Sequence, residues 1–410
     1  MTAFGPDLMA RLEEFATFTA EPGAMTRLCF SPQHRAAADQ LMAWMREAGM
    51  DVHLDPAGTV VGRYEGAQPG APALLLGSHI DTVRNGGKYD GNLGVLAAVA
   101  AVAELNRLGE RLPFAVEVLG FGDEEGVRFP VTLTGSRAAA GRFDPAALEG
   151  RDRDGVRFAD ALAAFGGDPA RIAEARRPNA LAYLEVHIEQ GPVLEAEGLP
   201  LGAVTAINGA TRFTATVQGM AGHAGTVPME LRRDALTAAA EMVLAVERQA
   251  AGTPGLVATV GRLETFPGAI NVIPGRVVFT VDVRAADDAV RTGGVEAIQA
   301  VLEAVAGRRN VALSIEKGHD ADAAPCTPGL IGQVEAAIRR AGVRPFRLPS
   351  GAGHDAMAFT GVLPMGMLFV RCHGGISHNP AESITTGDAD LAVRVLLDIV
   401  RHFDHGTLSP

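Results

Sequence analysis

The sequence predicts an α/β layered domain interrupted by a smaller α+β insertion, on three observations. Apolar strand-like runs alternate with helical stretches in the N-terminal half, polar residues capable of chemistry gather where those runs end, and near Gly209 the pattern changes to strands that alternate apolar with polar residues. At 410 residues the chain exceeds one ordinary core, and 47% hydrophobic residues supply enough apolar material for two.

Residues 36–48 show a helical pattern with Leu41, Met42, Trp44 and Met45 apolar, and Gly49 is a suitable stop. An extended segment at 59–64 leads to the strand Ala73-Leu74-Leu75-Leu76, which runs out at His79. Residues 94–108 are Ala-rich and helical by propensity. Residues 114–121 and 181–188 read as buried strands, ending in Gly122-Asp123-Glu124-Glu125-Gly126 and at His187.

From about Ile207 to Ala323 the order changes to a strand at 211–218, a helix at 230–251, strands at 256–263 and 276–284, and a helix at 288–305. One helix after the first strand and another after the third resembles a ferredoxin-like unit. From Cys326 the α/β character resumes with a helix at 328–341, a loop at 349–355, a strand at 366–370, a loop from His373 to Glu382 and a helix at 388–402. The expected division is a discontinuous domain of residues 1–206 and 324–410 with residues 207–323 inserted. No internal repeat or low-complexity tract is present.

Charge and cysteine content narrow the class. A net charge of -12 opposes nucleic-acid binding, which needs a basic patch. No apolar stretch of about 18 residues appears, and the start carries Asp7, Glu13 and Glu14 where a leader would be basic and then apolar. A membrane partner is therefore not expected. Cys29, Cys326 and Cys372 are odd in number and widely spaced, which fits a reducing, cytoplasmic setting.

The chemistry begins with Gly77-Ser78-His79-Ile80-Asp81-Thr82-Val83 and Asp90 in Lys88-Tyr89-Asp90-Gly91-Asn92. Imidazole with carboxylate suits zinc, manganese, cobalt or nickel, and a carboxylate can bridge two such ions. A His-x-Asp pair alone recurs by chance. Its company here is Glu124-Glu125, His187 in Glu185-Val186-His187-Ile188-Glu189-Gln190-Gly191, and His378 in Ser377-His378-Asn379-Pro380. Two ions sharing one carboxylate need about five protein ligands with a position open for water. His79, Asp90, Glu125, His187 and His378 supply that number. Adjacent side chains leave the chain in different directions, so with Glu125 on a metal Glu124 is free to take a proton from water and pass it to the leaving nitrogen. Asp81 is expected to accept the second ring proton of His79.

Together with Tyr89-Asp90-Gly91-Asn92-Leu93-Gly94-Val95-Leu96, Phe121-Gly122-Asp123-Glu124-Glu125-Gly126-Val127-Arg128-Phe129 and above all His187-Ile188-Glu189-Gln190-Gly191-Pro192-Val193-Leu194-Glu195, these segments resemble the hydantoinase/carbamoylase amidases over nearly the whole chain. That family includes allantoate amidohydrolases, N-carbamoyl-L-amino-acid amidohydrolases and β-ureidopropionases. The resemblance implies a mixed-sheet, dinuclear-metal exopeptidase-like catalytic domain with the insertion serving as dimerisation and lid domain. It also implies two divalent ions per subunit, zinc or manganese with cobalt and nickel compatible, bound by the five ligands with Asp90 bridging and Glu124 as general base.

By the same resemblance Gly222-His223-Ala224-Gly225-Thr226 presents a histidine that reaches from the partner subunit of a homodimer toward the reacting carbonyl. Asn271 and Arg284 match the pair that holds the substrate carboxylate, a task for which the guanidinium fork is suited, although a strand-end arginine is ordinarily just solvated. Gln190 is expected beside the metals, binding the ureido group, and Gly351-Ala352-Gly353 to offer backbone N–H groups to the carboxylate. His354 and Asp355 are expected to shape the surroundings of the metals.

The expected reaction is hydrolysis of a ureido acid's carbamoyl amide to amine, carbon dioxide and ammonia, with closure of the lid over the bound substrate. Asn85-Gly86-Gly87 and Phe129-Pro130-Val131-Thr132 look closer to allantoate hydrolases; N-carbamoyl-L-amino acids are the near rival. Two other readings stand beside these: an aminoacylase or dipeptidase using the same centre on ordinary amides, and a catalytically silent dimer that binds a ureido ligand.

Overall fold

The computed structural model describes residues 3–408, which form two compact units. One comprises the chain up to Thr205, Cys326–Leu348 and the residues from Ala352 onward; the other comprises Ala206–Pro325 and Pro349–Gly351. Among the described residues no helix is long and apolar enough to cross a membrane.

The first unit is built on a mixed sheet in the order Asp51–Leu54, Val60–Tyr64, Ala115–Phe121, Ala73–His79, Ala180–Ile188, Met365–Val370, Leu201–Ile207. The strands from Ala115–Phe121 through Met365–Val370 run parallel. Ala73–His79, Ala115–Phe121 and Met365–Val370 are buried along their whole length, which is why they read as continuous apolar runs. Parallel strands deliver their carboxyl ends to one edge. His79 pairs in register with Phe121, and His187 with Phe369, so the loops that follow emerge side by side.

Helices pack on this sheet. Pro32–Glu47 begins four residues earlier than the apolar pattern predicts, because Ser31 accepts the His34 N–H and Pro32 suits the first turn. Asn92–Leu108 lies against the sheet so closely that a Cβ at Gly94 would stand 2.0 Å from the carbonyl oxygen of Val186. Only glycine permits that contact of helix with strand, and it fixes the loop carrying Asp90 relative to the strand carrying His187.

The second unit follows the βαββαβ order. Its antiparallel sheet runs Leu263–Phe266, Arg276–Ala285, Gly209–Gln218, Ala312–Ala321, with Leu256–Thr259 also paired to Arg276–Ala285. The expected strand at 256–263 is thus two short ones on the same partner. The helix expected from residue 230 begins at Ala235, where Asp234 accepts the N–H groups of Leu236 and Thr237. Ala312–Ala321 was not foreseen: among the described residues it pairs only with Gly209–Gln218, and it is largely exposed, so it lacks an apolar face to read. Phe213, Ala215, Val217, Phe279, Val281 and Val283 pack under the helices Ala235–Ala251 and Asp288–Arg309. Each large apolar side chain buried there contributes roughly 1.5–3 kcal/mol. The intervening residues Arg212, Thr214, Thr280, Asp282 and Arg284 therefore occupy the opposite face.

Candidate metal centre

The five expected ligands meet in the first unit as two sets that share one residue. Potential ligand atoms of His79, Asp90 and His187 lie within 4.8 Å of one another, and so do those of Asp90, Glu125 and His378. Asp90 Oδ1 is 3.6 Å from His79 Nε2 and 3.2 Å from His187 Nε2, while Oδ2 is 3.1 Å from His378 Nε2. Glu125 Oε2 faces His378 Nε2 at 3.6 Å, and its other oxygen accepts the Val83 N–H. One carboxylate thus turns an oxygen to each set.

The donor chemistry fits divalent cations. Nδ1 of His79 lies 3.0 Å from the carbonyl of Asp81, and Nδ1 of His187 lies 2.9 Å from that of Ile188. A proton on each Nδ1 leaves lone pairs on Nε2 directed at a carboxylate, and acceptors facing each other call for a cation between them. Separations of 3.1–3.6 Å match the roughly 3.3 Å edge of a tetrahedron whose metal–ligand bonds are about 2.0–2.1 Å.

Asp81 departs from its expected role. Its carboxylate is 3.8 Å from His79 Nδ1, and its own carbonyl takes the hydrogen bond instead. The carboxylate accepts the N–H groups of Glu124 and Glu125. Asp81 therefore aims the Glu-Glu pair, and orients His79 through the main chain.

Glu124 stands on the rim of the first set, its carboxylate within reach of His79 and Glu125. A Cβ placed on Gly353 would lie 3.9 Å from Glu124 Oε1, so this glycine borders the Glu124 carboxylate. Burial, then the neighbouring charges of Glu125, Asp355 and Asp81, pushes the Glu124 carboxyl well up, against the pull of His79. Burial and Asp90 likewise hold Glu125 at about 7. In the metal-free protein, where a proton on Nε2 takes the cation's place, Asp90 is drawn well below its usual range: burial opposes its charge, and hydrogen bonds from His187, His378 and His79 overcome that.

Gln190 lies beside Asp90. Its amide nitrogen donates to Asp90 Oδ2 at 3.1 Å and to Ser377 at 3.1 Å, while its oxygen is buried without a partner. Asp123, Gln190 and His378 all have positive φ, a concentration of backbone strain around the two candidate ligand sets. His354 packs edge-on against the His187 ring, centroids 4.4 Å apart, and burial with the nearby His187 keeps it neutral. Burial also holds the Asp355 carboxyl well above its usual range.

Sequence reasoning missed several supports. Glu382 accepts the N–H groups of Tyr89 and Asp90, and Ser377 bonds its other oxygen. Glu185 is fully buried, taking hydrogen bonds from Ser78, Tyr183 and the Ala356 N–H. Gly91, with φ +67°, leaves room for the His79 ring, which a Cβ would meet at 2.5 Å. Within the His-Ile-Glu-Gln-Gly segment, Glu189 caps the turn beginning at Val193. A glycine after Asp90 and an acid four residues beyond His378 were the available signals.

The remaining candidates belong to the second unit. Gly222–His223 pairs with Val272–Ile273, and the Ala224 N–H donates to the Asn271 carbonyl, so exposed His223 and Asn271 are neighbours. Arg284 stands on the open face of the sheet, bonded to Asp282 and to the Gly351 carbonyl. Gly351 thus faces Arg284 with its carbonyl.

The model of peptidase family M20/M25/M40 matches residues 75–402. Over 405 residues the chain is 44% identical to the N-carbamoyl-L-amino acid amidohydrolase of Geobacillus stearothermophilus, covering 98% of this chain and 99% of that protein. It is 40% identical over 428 residues to the allantoate deiminase of Arabidopsis thaliana, covering 96% of this chain and 81% of the relative. The crystal structure of a hydantoinase/carbamoylase family amidase from Burkholderia ambifaria superposes with a TM-score of 0.91 at 35% identity, covering 99% of this chain and 98% of that one.

Proposed function

The chain belongs to peptidase family M20/M25/M40, and we propose that it hydrolyses the carbamoyl C–N bond of a carboxylate-bearing ureido acid, either allantoate or an N-carbamoyl-L-amino acid. The observation that carries this is Asp90, shared between two ligand sets with Glu124 beside them. The relatives named for allantoate and N-carbamoyl amino acids supply the substrate class.

Two divalent ions, one at His79, Asp90 and His187 and one at Asp90, Glu125 and His378, would polarise the ureido carbonyl and lower the pKa of water. Glu124 accepts the proton of the attacking water, and its raised proton affinity suits it to hand that proton to the departing nitrogen. Gln190, whose amide nitrogen is held by Asp90 and Ser377, offers its partnerless carbonyl oxygen to the ureido N–H groups. His223, supplied by the partner subunit of a homodimer, stabilises the developing oxyanion. Arg284 and Asn271 hold the carboxylate. Water adds to the carbamoyl carbon, one C–N bond breaks with its nitrogen leaving protonated, and the carbamate so formed loses carbon dioxide as its own C–N bond breaks, giving amine, carbon dioxide and ammonia in all. The three unpaired, buried cysteines suit a cytoplasmic enzyme.

Steady-state rates on allantoate, N-carbamoyl-L-methionine and N-carbamoyl-β-alanine, with manganese or zinc added, test the proposal. Turnover of the first or second supports it. Hydrolysis of dipeptides or N-acetyl amino acids with no ureido turnover overturns it.

A further inference from the structure

Arg284 is already engaged on the open face of the second unit's sheet. Its Nε and Nη2 donate to the two oxygens of Asp282 at 2.8 and 3.0 Å, and Nη1 donates to the Gly351 carbonyl at 2.7 Å. A guanidinium has five N–H donors. Three are committed, which leaves one hydrogen on each terminal nitrogen, the pair that a carboxylate engages bidentately.

Charge raises a difficulty that the neighbouring strand resolves. An arginine paired to an aspartate is neutral overall and attracts an anion weakly. Asp282, however, is directly opposite Arg212 in the strand register and accepts its Nε at 2.8 Å. Two guanidinium groups and one carboxylate leave a net charge of +1. Arg212, Asp282, Arg284 and Gly351 all line one open cavity of about 670 Å³, with Thr214, Thr259 and Thr280. Arg212 is about half exposed, at 52%, against 31% for Arg284, so its task is not to fill a core.

We propose that Asp282 and Arg212 are positioning residues for the carboxylate site: Asp282, with the Gly351 carbonyl, aims the terminal fork of Arg284, and Arg212 returns the positive charge that Asp282 removes. The inference rests on the reading of Arg284 as the substrate's carboxylate anchor. It goes beyond that reading by making the anchor a set of three charges on two strands.

The test uses the metal-loaded, full-length enzyme and whichever of allantoate or N-carbamoyl-L-methionine it turns over, with KM and kcat measured against ionic strength for Arg284→Ala, Arg212→Gln, Arg212→Lys and Asp282→Asn. Arg212→Gln is expected to raise KM about three- to tenfold at low salt, with kcat nearly unchanged and a flatter salt dependence, because the site's net charge becomes zero. Arg212→Lys keeps the charge and should recover most of the loss. Asp282→Asn is expected to steepen the salt dependence and to raise KM on the order of tenfold at high salt, where screening exposes the loss of aim. A general structural defect would shift both salt curves in parallel and leave lysine without effect. If Arg284→Ala raises KM while Arg212→Gln and Asp282→Asn leave it unchanged, the positioning roles are wrong and the anchor stands. If Arg284→Ala leaves KM unchanged, the anchor itself falls, and the positioning roles with it.

Discussion

The carboxylate of Glu382 grips the main chain of Asp90: one oxygen accepts the Asp90 N–H at 3.1 Å and that of Tyr89 at 2.8 Å. Its other oxygen is 3.0 Å from Ser377, the residue before His378. A residue outside both candidate ligand sets thereby ties the Asp90 loop to the His378 loop. Replacing it with Ala should lower divalent-metal affinity by about 10–100-fold, as loss of outer partners commonly does. Metal content after dialysis against graded chelator measures this, and Glu382→Gln should retain less of the wild-type affinity than Glu382→Asp. Unchanged retention in all three variants would show that Asp90 keeps its place unaided.

Glu124 touches the ligand sets without belonging to the two that share Asp90. Glu124→Gln keeps the shape and removes the base, so kcat should fall by about 10²–10⁴-fold while metal content stays near normal. Elemental analysis beside the rate measurement separates the two effects. Activity within a few-fold of wild type would assign the proton transfer to another group.

Stability of the metal-free protein should fall as pH rises. Burial first, then Asp90, raises Glu125 and Glu382 from 4.5 to about 7, and a hydrogen bond to Asp90 raises His378 from 6.5 to about 9. All three bind protons in the folded state that the unfolded chain has released. Their stabilising contribution is complete below the unfolded values and is lost as pH passes through the folded ones. For the two carboxyls the loss is on the order of a few kcal/mol. Thermal melts in chelator at pH 5.5 and 8.5 should give the lower midpoint at 8.5, and added manganese should erase the difference. A higher midpoint at 8.5 without metal would contradict the assignment.

His223 is exposed and its ring nitrogen accepts the Gly225 N–H, a local partner within its own chain. If the partner subunit supplies it, mixing Glu124→Gln with His223→Ala subunits should restore about a quarter of wild-type sites, since half the dimers are mixed and each has one intact site. Activity after verified subunit exchange is the measurement. No recovery would place His223 and Glu124 of one chain in the same site.

The clustering of the five candidate ligands was legible because each is a residue of distinctive chemistry at the end of a strongly apolar strand or in a loop beside glycines. His79 and His187 end runs that are buried on both faces, and the sheet's parallel register carries them to one edge. The exposed strand Ala312–Ala321 was not legible, because an edge strand with charged and small residues has no periodic apolar signal. Glu382 and Glu185 escaped for another reason: each acts through bonds to residues distant in the chain, and an acid in a loop or strand gives no sign of such partners until the fold closes. Asp81 was singled out for the right neighbourhood, but the choice between its carbonyl and its carboxylate is a matter of ångströms that composition does not record.

The contact between Gly94 and the Val186 carbonyl has a mechanical corollary. Since main-chain atoms meet there with no side chain interposed, the separation of the Asp90 loop from the His187 strand is expected to be insensitive to exchange among the surrounding leucines, valines and alanines. Any side chain at Gly94 would instead wedge helix from strand and drive Asp90 and His187 apart.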